Sequence, residues 1–415
     1  MIKSIKALVI KYAKKNVTFR KITRFLSVNL SKFLYLKYYL FNKIDDKLIL
    51  FESFGGRNYA DSPKAIYLEL LNNNKYNDYK FVWSFNNPRE YEYLKNKNTK
   101  IIKKGSSEYY KYYARAKYWI VNSIVRESII KKKNQIYVQC WHGTPLKKIR
   151  CDITVNGSVM NTVSENRKRN DIDAKRFDYL LSPSNYATEK FISAFNLKKL
   201  GKENIIIEKG YPRNDYLVNY KENNIKEIKT KLNIPKNKKI ILYAPTFRDN
   251  EHDNKIGYTY KINVDFDKLK DKLSNDYIIL FRAHYFVANS FDFNKYNNFV
   301  YDVSDYDDIN ELYIISDILI TDYSSVFFDY AILKRPIVYY MYDKNMYKNN
   351  LRDFYINLDT LPGPIVYNEK ELIKTIINIL PFKVSNKYKL FNKKYNYLDD
   401  GNSSKRVVEV VFDEK

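Results

Sequence analysis

Cysteine is scarce in this sequence, which has only Cys140 and Cys151 among its 415 residues. The two positions do not form a metal-ligand pair such as C-x-x-C, and two thiols cannot build a disulfide framework. The scarcity therefore argues against a disulfide-stabilised secreted domain and against a structural zinc site, and it favours a reducing compartment.

Long uncharged apolar runs are also missing. Near the N-terminus the longest apolar stretches are interrupted by Lys14, Lys15, Lys32 and Lys37, so none approaches the ~20 residues that span a bilayer. No small-residue cleavage site follows a clean apolar core, and we therefore predict no secretory signal.

Acidic residues are absent from the first 43 positions, which contain eleven Lys or Arg. Apolar residues recur there at helical spacing, which predicts one or two basic amphipathic helices over residues 1–45. Such helices suit an anionic membrane surface. The alternative is a helical pair that packs on the domain and exposes its basic face to solvent.

The rest of the composition is that of a globular chain with 45% hydrophobic residues and a formal charge of +26. Its length favours two or three domains. A positive field of this size suits a nucleic acid, an anionic membrane or a phosphorylated substrate. An AT-rich genome would also enrich Lys, Asn, Ile and Tyr, so part of the charge carries no functional information.

Short apolar runs alternate with helical patterns from residue 46 onward, which predicts parallel pairing and doubly wound sheets. A first domain is predicted over 46–225 and a second over 226–415, with the charged segment Lys221 to Lys231 as a linker helix or hinge. The Asn-Lys-rich stretch Asn345 to Asn350 is interpreted as a loop. The predicted strands are Leu48–Phe54, Lys80–Trp83, Tyr118–Val121, Ile136–Cys140, Tyr179–Leu181, Lys239–Ala244, Tyr277–Phe281, Asn298–Tyr301, Ile318–Ile320 and Pro336–Tyr340.

The apolar run that starts at Ile136 ends in Trp-His-Gly-Thr-Pro at positions 141 to 145. This pattern predicts a buried strand that delivers His142 to a loop. The glycine permits a turn or a close approach to a ligand, the proline ends the strand, and Lys147 and Lys148 place two cations just beyond it. A base beside an anion site is indicated, with a half-buried histidine at a strand end as the alternative.

Polar residues also follow the predicted strands of the second domain. They include an arginine and a histidine at Arg282 and His284, and two serines, Ser324 and Ser325, at a predicted helix start that favours anions. The third histidine, His252, lies in a polar stretch that predicts a loop. Clustered acids are missing beside His142 and His284, so we expect neither a metal nor another cofactor.

Six motifs in order, over about residues 47 to 395, resemble the CDP-glycerol glycerophosphotransferase family of teichoic acid synthesis. They are Phe51-Glu-Ser-Phe with Ser62-Pro-Lys-Ala-Ile-Tyr67, Trp141-His-Gly-Thr-Pro-Leu-Lys147, Gly210-Tyr-Pro-Arg-Asn-Asp215, Tyr243-Ala-Pro-Thr-Phe-Arg248, Arg282-Ala-His284 and Ile320-Thr-Asp-Tyr-Ser-Ser-Val-Phe-Phe-Asp329.

The resemblance implies an α/β GT-B architecture with two Rossmann-like domains facing a cleft. It also implies a peripheral enzyme on the cytoplasmic face of the cell membrane, which transfers glycerol or ribitol phosphate from CDP-glycerol or CDP-ribitol to a lipid-linked acceptor. His142 is the candidate base, and His284 is the second catalytic candidate. The candidate substrate-binding residues are Trp141, Gly143, Thr144, Pro145, Lys147, Arg213, Pro245, Thr246, Arg248, Arg282, Ser324, Ser325 and Asp329.

Two other classes of function are compatible with parts of this pattern. A GT-B glycosyltransferase that uses a nucleotide sugar would share the fold and the basicity, but the acidic nucleotide motifs common in such enzymes are not evident. A nucleic-acid-binding protein would explain the charge, but it would not require histidines at strand ends, and no familiar nucleic-acid module is visible.

Overall fold

The computed structural model describes residues 12, 16–154, 162–246, 252–253, 257–258, 263–283, 292–350 and 353–413. Two compact units are found. The first comprises Met1–His142, Ser158–Leu181 and Phe195–Ile207, and the second comprises Gly143–Gly157, Ser182–Ala194 and Glu208–Lys415. The predicted domain boundary at residue 225 falls within a helix of the second unit.

The first unit is built on a seven-stranded sheet with the order β3-β2-β1-β4-β5-β6-β7. The strand pairs with resolved register are all parallel. The strands are β1 Asp45–Glu52, β2 Lys80–Phe85, β3 Thr99–Lys103, β4 Ala116–Val121, β5 Ile136–Gln139, β6 Tyr179–Ser182 and β7 Ile206–Glu208. The helices of this unit are α1 Val17–Phe41, α2 Asp61–Asn72, α3 Ser107–Arg115, α4 Val163–Ala174 and α6 Leu197–Leu200.

The second unit contains a six-stranded parallel sheet with the order β12-β11-β8-β13-β14-β15. Its strands are β8 Lys239–Ala244, β11 Tyr277–Phe281, β12 Val300–Asp302, β13 Ile318–Thr321, β14 Ile337–Tyr340 and β15 Ile365–Val366, and a separate ribbon pairs β9 His252–Asp253 with β10 Gly257–Tyr258. Its helices are α5 Asn185–Ala194, α7 Asp215–Asn219, α8 Glu222–Lys231, α9 Phe266–Leu273, α10 Ile309–Ile315, α11 Val326–Tyr330, α12 Lys344–Asn350, α13 Glu369–Asn378, α14 Asn386–Tyr395 and α15 Ser403–Val408.

The prediction of two doubly wound α/β domains is confirmed. Each of the ten predicted strands corresponds to a strand of the structure, because β-branched and aromatic runs in buried parallel strands are conspicuous in sequence. The short strands β3, β7 and β15 were missed. The stretch Asn345 to Asn350 lies in helix α12 rather than in a loop, and His252 lies in the two-residue strand β9.

Helix α1 exposes several large apolar side chains to solvent. Phe25, Leu30 and Phe33 are 67%, 62% and 72% exposed. On the opposite face Tyr35 is fully buried, and its hydroxyl donates a hydrogen bond to the Ile130 carbonyl at 3.1 Å. Among the described residues, no helix combines the length and the apolar composition needed to cross a bilayer.

Candidate functional site

His142 follows strand β5 in the first unit, and its imidazole is exposed. The turn that presents it depends on Trp141, whose φ of +51° lies in the left-handed region. The Gln139 side chain stabilises this turn by accepting the Trp141 N–H at 3.0 Å. The strand therefore ends in a strained turn that directs the histidine outward, as often occurs where a side chain acts on a ligand.

One hydrogen bond determines the tautomer of His142. Its Nδ1 lies 2.7 Å from the backbone carbonyl oxygen of Asn122. Because a carbonyl can only accept, Nδ1 must carry the proton, and in the neutral ring the lone pair is on Nε2. The imidazole is therefore oriented to accept a proton at Nε2, which is the arrangement that a general base requires.

His142 follows β5, the neighbour of β4, and through Asn122 it contacts the topological switch point of the first sheet. Strands β2 and β3 lie on one side of β1, and β4 to β7 lie on the other, so the crossovers diverge at β1 and β4. In such sheets ligands bind beyond the carboxyl ends of the strands at this point. Residue Phe54, after β1, donates its N–H to the Asn122 side chain at 2.7 Å, and its ring lies 6.0 Å from the His142 ring.

Asn122 was missed in the sequence analysis. It follows directly after β4 and is fully buried, and it contacts both Phe54 and His142 through different oxygens. The sequence contained a signal for Asn122, because in the second domain polar residues that follow predicted strands were taken as candidate site residues. The same criterion at the end of Tyr118–Val121 would have found Asn122.

Gly143 lies in the second unit and packs against Ser325. A Cβ built on Gly143 would lie 3.0 Å from the Ser325 Cβ and nearer still to its hydroxyl. A side chain at this position would therefore require Ser325 to shift. Within the second unit Gly143 thus lies against a serine of the Thr321-Asp-Tyr-Ser-Ser motif, and the predicted close approach to a ligand stays a prediction.

The residues after Gly143 belong to the second unit and contact other residues of that unit. Thr144 is 1% exposed, and the Pro145 carbonyl accepts a hydrogen bond from the Tyr186 hydroxyl at 2.8 Å. Lys147 pairs with Phe354 in an antiparallel bridge, and its ammonium lies 5.7 Å from the Tyr347 ring centroid. The predicted cation is thus placed against an aromatic face, which attracts it electrostatically.

The switch point of the second sheet lies between β8 and β13. Strands β11 and β12 lie on one side of this pair, and β14 and β15 lie on the other. Pro245 and Thr246 follow β8 and are buried. The Thr246 N–H donates to the Asp322 carboxylate at 2.8 Å, and the Tyr323 N–H donates to the same oxygen at 2.6 Å. Asp322 therefore joins the ends of the two strands, a role that the sequence analysis did not assign.

The two serines that follow Asp322 are partly exposed at the same edge. Ser324 Oγ accepts the Val326 N–H at 3.4 Å, whereas Ser325 makes no side-chain cap. The predicted helix start is present, since α11 begins at Val326; it ends at Tyr330 and is followed by a 3₁₀ turn over Ala331–Leu333. A five-residue helix has a small dipole, and anion binding here would depend mainly on hydroxyls and N–H groups.

Arg282 follows β11, the neighbour of β8 in the second sheet. Its guanidinium donates to the carbonyls of Val303 at 3.0 Å and Tyr306 at 2.7 Å. Burial lowers the pKa of Arg282 from its usual value, but arginine remains protonated in proteins. The predicted catalytic candidate His284 and the predicted binding residue Arg248 lie outside the described residues.

Arg213 and Asp329 form a buried bidentate ion pair in the second unit. Nε and Nη2 of Arg213 lie 3.0 Å and 3.1 Å from the two carboxylate oxygens, and the guanidinium lies 4.0 Å from the Tyr211 ring centroid. Asn214 donates to the same carboxylate at 3.2 Å. Asp329 thus orients Arg213 and Asn214. Substrate binding by Asp329 and a phosphate contact by Arg213 stay predictions.

Asp399 is a second buried carboxyl beside this pair. It accepts the Tyr211 N–H at 2.9 Å, and burial raises its pKa from 3.8 to about 7, with the Asp329 charge acting in the same direction. The folded state therefore binds this proton more tightly than the unfolded state does. The contribution of Asp399 to stability is largest below pH 3.8 and decreases as the pH rises toward 7.

We expect Asp399→Asn to reduce this pH dependence. Between pH 5 and pH 7 the free energy of unfolding of the variant, relative to the parent, should rise by up to about 1.4 kcal/mol per pH unit. Urea denaturation at half-unit steps measures it. Asp400→Asn is the matched control, because the pKa of Asp400 is lowered and it does not titrate in this range. Parallel pH profiles for Asp399→Asn and the parent would contradict the expectation.

The topology of both units, with polar residues at each switch point, defines a GT-B-like α/β fold. A UDP-GlcNAc 2-epimerase from Methanocaldococcus jannaschii shares this fold at a TM-score of 0.50 and 14% identity, over 88% of this chain and 99% of that one. Residues 34–413 match the family model of CDP-glycerol:poly(glycerophosphate) glycerophosphotransferases. The chain belongs to that family, as the sequence motifs predicted.

Individual relatives agree with this assignment. The teichoic acid poly(glycerol phosphate) polymerase of Bacillus spizizenii is 43% identical over 89% of this chain and 92% of its own length. The teichoic acid glycerol-phosphate transferase of Staphylococcus aureus is 40% identical over 91% and 96%. The chain spans only 51% of the Staphylococcus epidermidis polymerase, to which it is 41% identical. The wall teichoic acid polymerase TagF, in a histidine-to-asparagine variant soaked with CDPG, has a TM-score of 0.82 and 39% identity over 97% of both chains.

Proposed function

We propose that this enzyme transfers glycerol phosphate from CDP-glycerol to a hydroxyl group of a lipid-linked acceptor in teichoic acid synthesis. The similarity to glycerol-phosphate polymerases and transferases over about nine-tenths of the chain supports this donor. The poly(ribitol-phosphate) polymerase of Bacillus spizizenii matches only 54% of the chain, at 36% identity. CDP-ribitol is therefore the second candidate donor.

The observation that carries this proposal is the hydrogen bond between His142 Nδ1 and the Asn122 carbonyl. With Nδ1 protonated, Nε2 removes the proton from the acceptor hydroxyl while that oxygen attacks the β-phosphorus of the donor. The bond between the β-phosphorus and the bridging oxygen breaks, and CMP leaves with the electron pair. Groups of the second unit, including Arg282 and the Ser324–Ser325 segment, stabilise the developing negative charge.

The test is CMP release by the full chain in the presence of isolated membranes. CDP-glycerol and CDP-ribitol are supplied separately, and radiolabel transfer into the lipid fraction is measured beside CMP. We expect CMP release and label transfer with CDP-glycerol in equal amounts. Release of CMP without label in lipid would indicate hydrolysis, and activity with CDP-ribitol alone would reassign the donor.

We expect Ser324→Ala and Ser325→Ala together to weaken CDP-glycerol binding by tenfold or more. Each hydroxyl that donates to a charged phosphate contributes about 1.5–3 kcal/mol. Isothermal titration calorimetry of the double variant measures the effect, and Ser193→Ala is the control because Ser193 is an exposed serine of the same unit that binds Asp152. Unchanged affinity would exclude these serines from the donor site.

We also propose that α1 places the enzyme on the cytoplasmic face of the membrane, through the apolar face described above. Leu30→Glu with Phe33→Glu should reduce binding to anionic vesicles at least tenfold, since burying each side chain contributes about 1.5–3 kcal/mol. Vesicle co-sedimentation measures it. The control is Ile377→Glu with Leu390→Glu, which changes two exposed apolar residues outside α1, 51% and 66% exposed. Equal binding by both double variants would contradict this role.

A further inference from the structure

Gln139 is the last residue of strand β5, three positions before His142 in the first unit, and it is only 2% exposed. Burying the donors and acceptors of an amide side chain costs free energy unless they form hydrogen bonds. The partners of this amide therefore show what it does at the end of the strand.

The Gln139 amide joins two segments that follow the paired strands β4 and β5. Its Nε2 donates to the backbone carbonyl oxygen of Ser123, after β4, at 3.1 Å and to the Tyr137 hydroxyl at 3.0 Å. Its Oε1 accepts the N–H of Trp141, after β5, at 3.0 Å. Because a carbonyl can only accept and a backbone N–H can only donate, these contacts fix the orientation of the amide.

Both of the joined segments hold the imidazole of His142. Ser123 follows Asn122, whose carbonyl oxygen lies 2.7 Å from His142 Nδ1. Trp141 precedes His142 and has a φ of +51°, a conformation that a residue other than glycine keeps only when its surroundings hold it there. The Gln139 amide therefore links the turn that carries the imidazole to the segment whose carbonyl determines the tautomer.

The same turn places an indole ring against the imidazole. The ring centroids of Trp141 and His142 are 4.2 Å apart, and the two planes are inclined by 31°. The indole also packs edge-on against Phe195, with 5.1 Å between the centroids. Contact with the face of the imidazole restricts its rotation, and this contact depends on the backbone conformation of Trp141.

We propose that Gln139 is a positioning residue for the base of the transfer reaction. Its side chain is buried, so it acts on the substrate only through His142, by keeping Nδ1 at the Asn122 carbonyl and Nε2 available to the acceptor hydroxyl. The effect of this role on turnover rests on the proposed function. The control of the imidazole tautomer does not.

The test variant is Gln139→Met, which keeps a side chain of similar length but has no N–H donor and only a weak sulfur acceptor. We expect kcat for CMP release to fall by roughly 10- to 100-fold, because a small misplacement of a reacting group has effects of this size. The dissociation constant for CDP-glycerol should stay unchanged. Long-range proton–nitrogen NMR spectra of the histidine-labelled protein, assigned with His142→Ala, should show a loss of the Nδ1–H tautomer of His142.

Gln135→Met is the matched control. Gln135 lies just before the opposite end of β5 and is 1% exposed. Its Nε2 donates to the carbonyls of Tyr113 at 2.8 Å and Ala116 at 2.7 Å, and its Oε1 accepts the Lys132 N–H at 2.9 Å. The control therefore removes the same number of hydrogen bonds from an equally buried site, and it should keep the parent tautomer and a kcat close to that of the parent. Equal losses of kcat in the two variants, with the tautomer unchanged in both, would overturn the proposal.

A second variant keeps the proposal testable if Gln139→Met does not fold. Tyr137→Phe removes only the hydroxyl that accepts from Gln139 Nε2, and the amide keeps its contacts with Ser123 and Trp141. We expect a smaller shift of the tautomer in the same direction and a fall in kcat of about two- to tenfold, since one neutral hydrogen bond is lost. An unchanged tautomer with unchanged kcat in this variant would contradict the positioning role.

The positioning role and the proposed function can fail separately in this design. If the transfer reaction is wrong, the parent releases no CMP from CDP-glycerol, but Gln139→Met still changes the His142 tautomer. If the positioning role is wrong, the parent releases CMP, and Gln139→Met behaves like Gln135→Met with the parent tautomer.

Discussion

Replacing His142 with alanine is expected to lower turnover by about 10²–10⁴ and to leave CDP-glycerol affinity nearly unchanged. The tautomer imposed by the Asn122 carbonyl puts the lone pair on Nε2, which removes the acceptor proton in the proposed mechanism. Alanine removes that base, but the residues expected to bind the donor phosphates are in the second unit and remain. The change should therefore appear in kcat and not in the dissociation constant for the donor.

CMP-release kinetics and calorimetric titration of CDP-glycerol together measure both quantities. His252→Ala is the control, because His252 lies in the two-residue strand β9 and was not predicted to be catalytic. Exogenous imidazole should partly restore turnover to His142→Ala. Substantial turnover in a correctly folded His142→Ala protein, shown by circular dichroism, would place the base elsewhere.

Asp329→Ala is expected to destabilise the protein by about 3–5 kcal/mol. The substitution leaves the Arg213 guanidinium buried without the carboxylate that binds it at 3.0 Å and 3.1 Å. Both side chains are less than one-tenth exposed, so solvent cannot replace the lost partner. The urea concentration at the midpoint of unfolding of the second unit should therefore fall. We expect this loss of stability to be detectable before any loss of donor binding.

Two variants separate the effect of burial from that of charge pairing. Asp267→Ala breaks the ion pair between Asp267 and Lys295, whose side chains are 57% and 63% exposed, and should change stability by less than about 1 kcal/mol. Arg213→Met with Asp329→Leu removes both buried charges and should recover most of the stability. Similar losses in Asp329→Ala and Asp267→Ala would show that burial does not determine the strength of this pair.

The sequence was sufficient to predict two doubly wound domains with parallel strands, because buried parallel strands are short, continuous apolar runs. It also placed Arg282, Pro245 and Ser324 at strand ends, and the structure puts the ends of β8, β11 and β13 at one edge of one sheet. Strand β15 was missed because Ile365–Val366 offers only two apolar residues after a Gly-Pro pair. Helix α12 was missed because its Asn-Lys composition lacks an apolar period.

Contacts between residues far apart in the chain could not be read from local patterns. The pairing of Asn122 with His142, of Gly143 with Ser325 and of Arg213 with Asp329 each depends on the tertiary fold. The exposure of the apolar face of α1 was likewise undetermined, since the same amphipathic pattern fits a helix that buries that face. Tertiary contacts, such as those of Tyr35 with Ile130 and of Arg20 with Glu165, show which face points inward.

The scarcity of cysteine makes the chain suitable for thiol-exchange measurements without engineering. Cys140 is completely buried at the end of β5, two residues before His142, whereas Cys151 is partly exposed. A thiol reagent should therefore modify Cys151 quickly and reach Cys140 only when the strand opens. The slow phase would report the local opening equilibrium of the strand that precedes the proposed base. Its dependence on lipid or donor would show which ligand stabilises that strand.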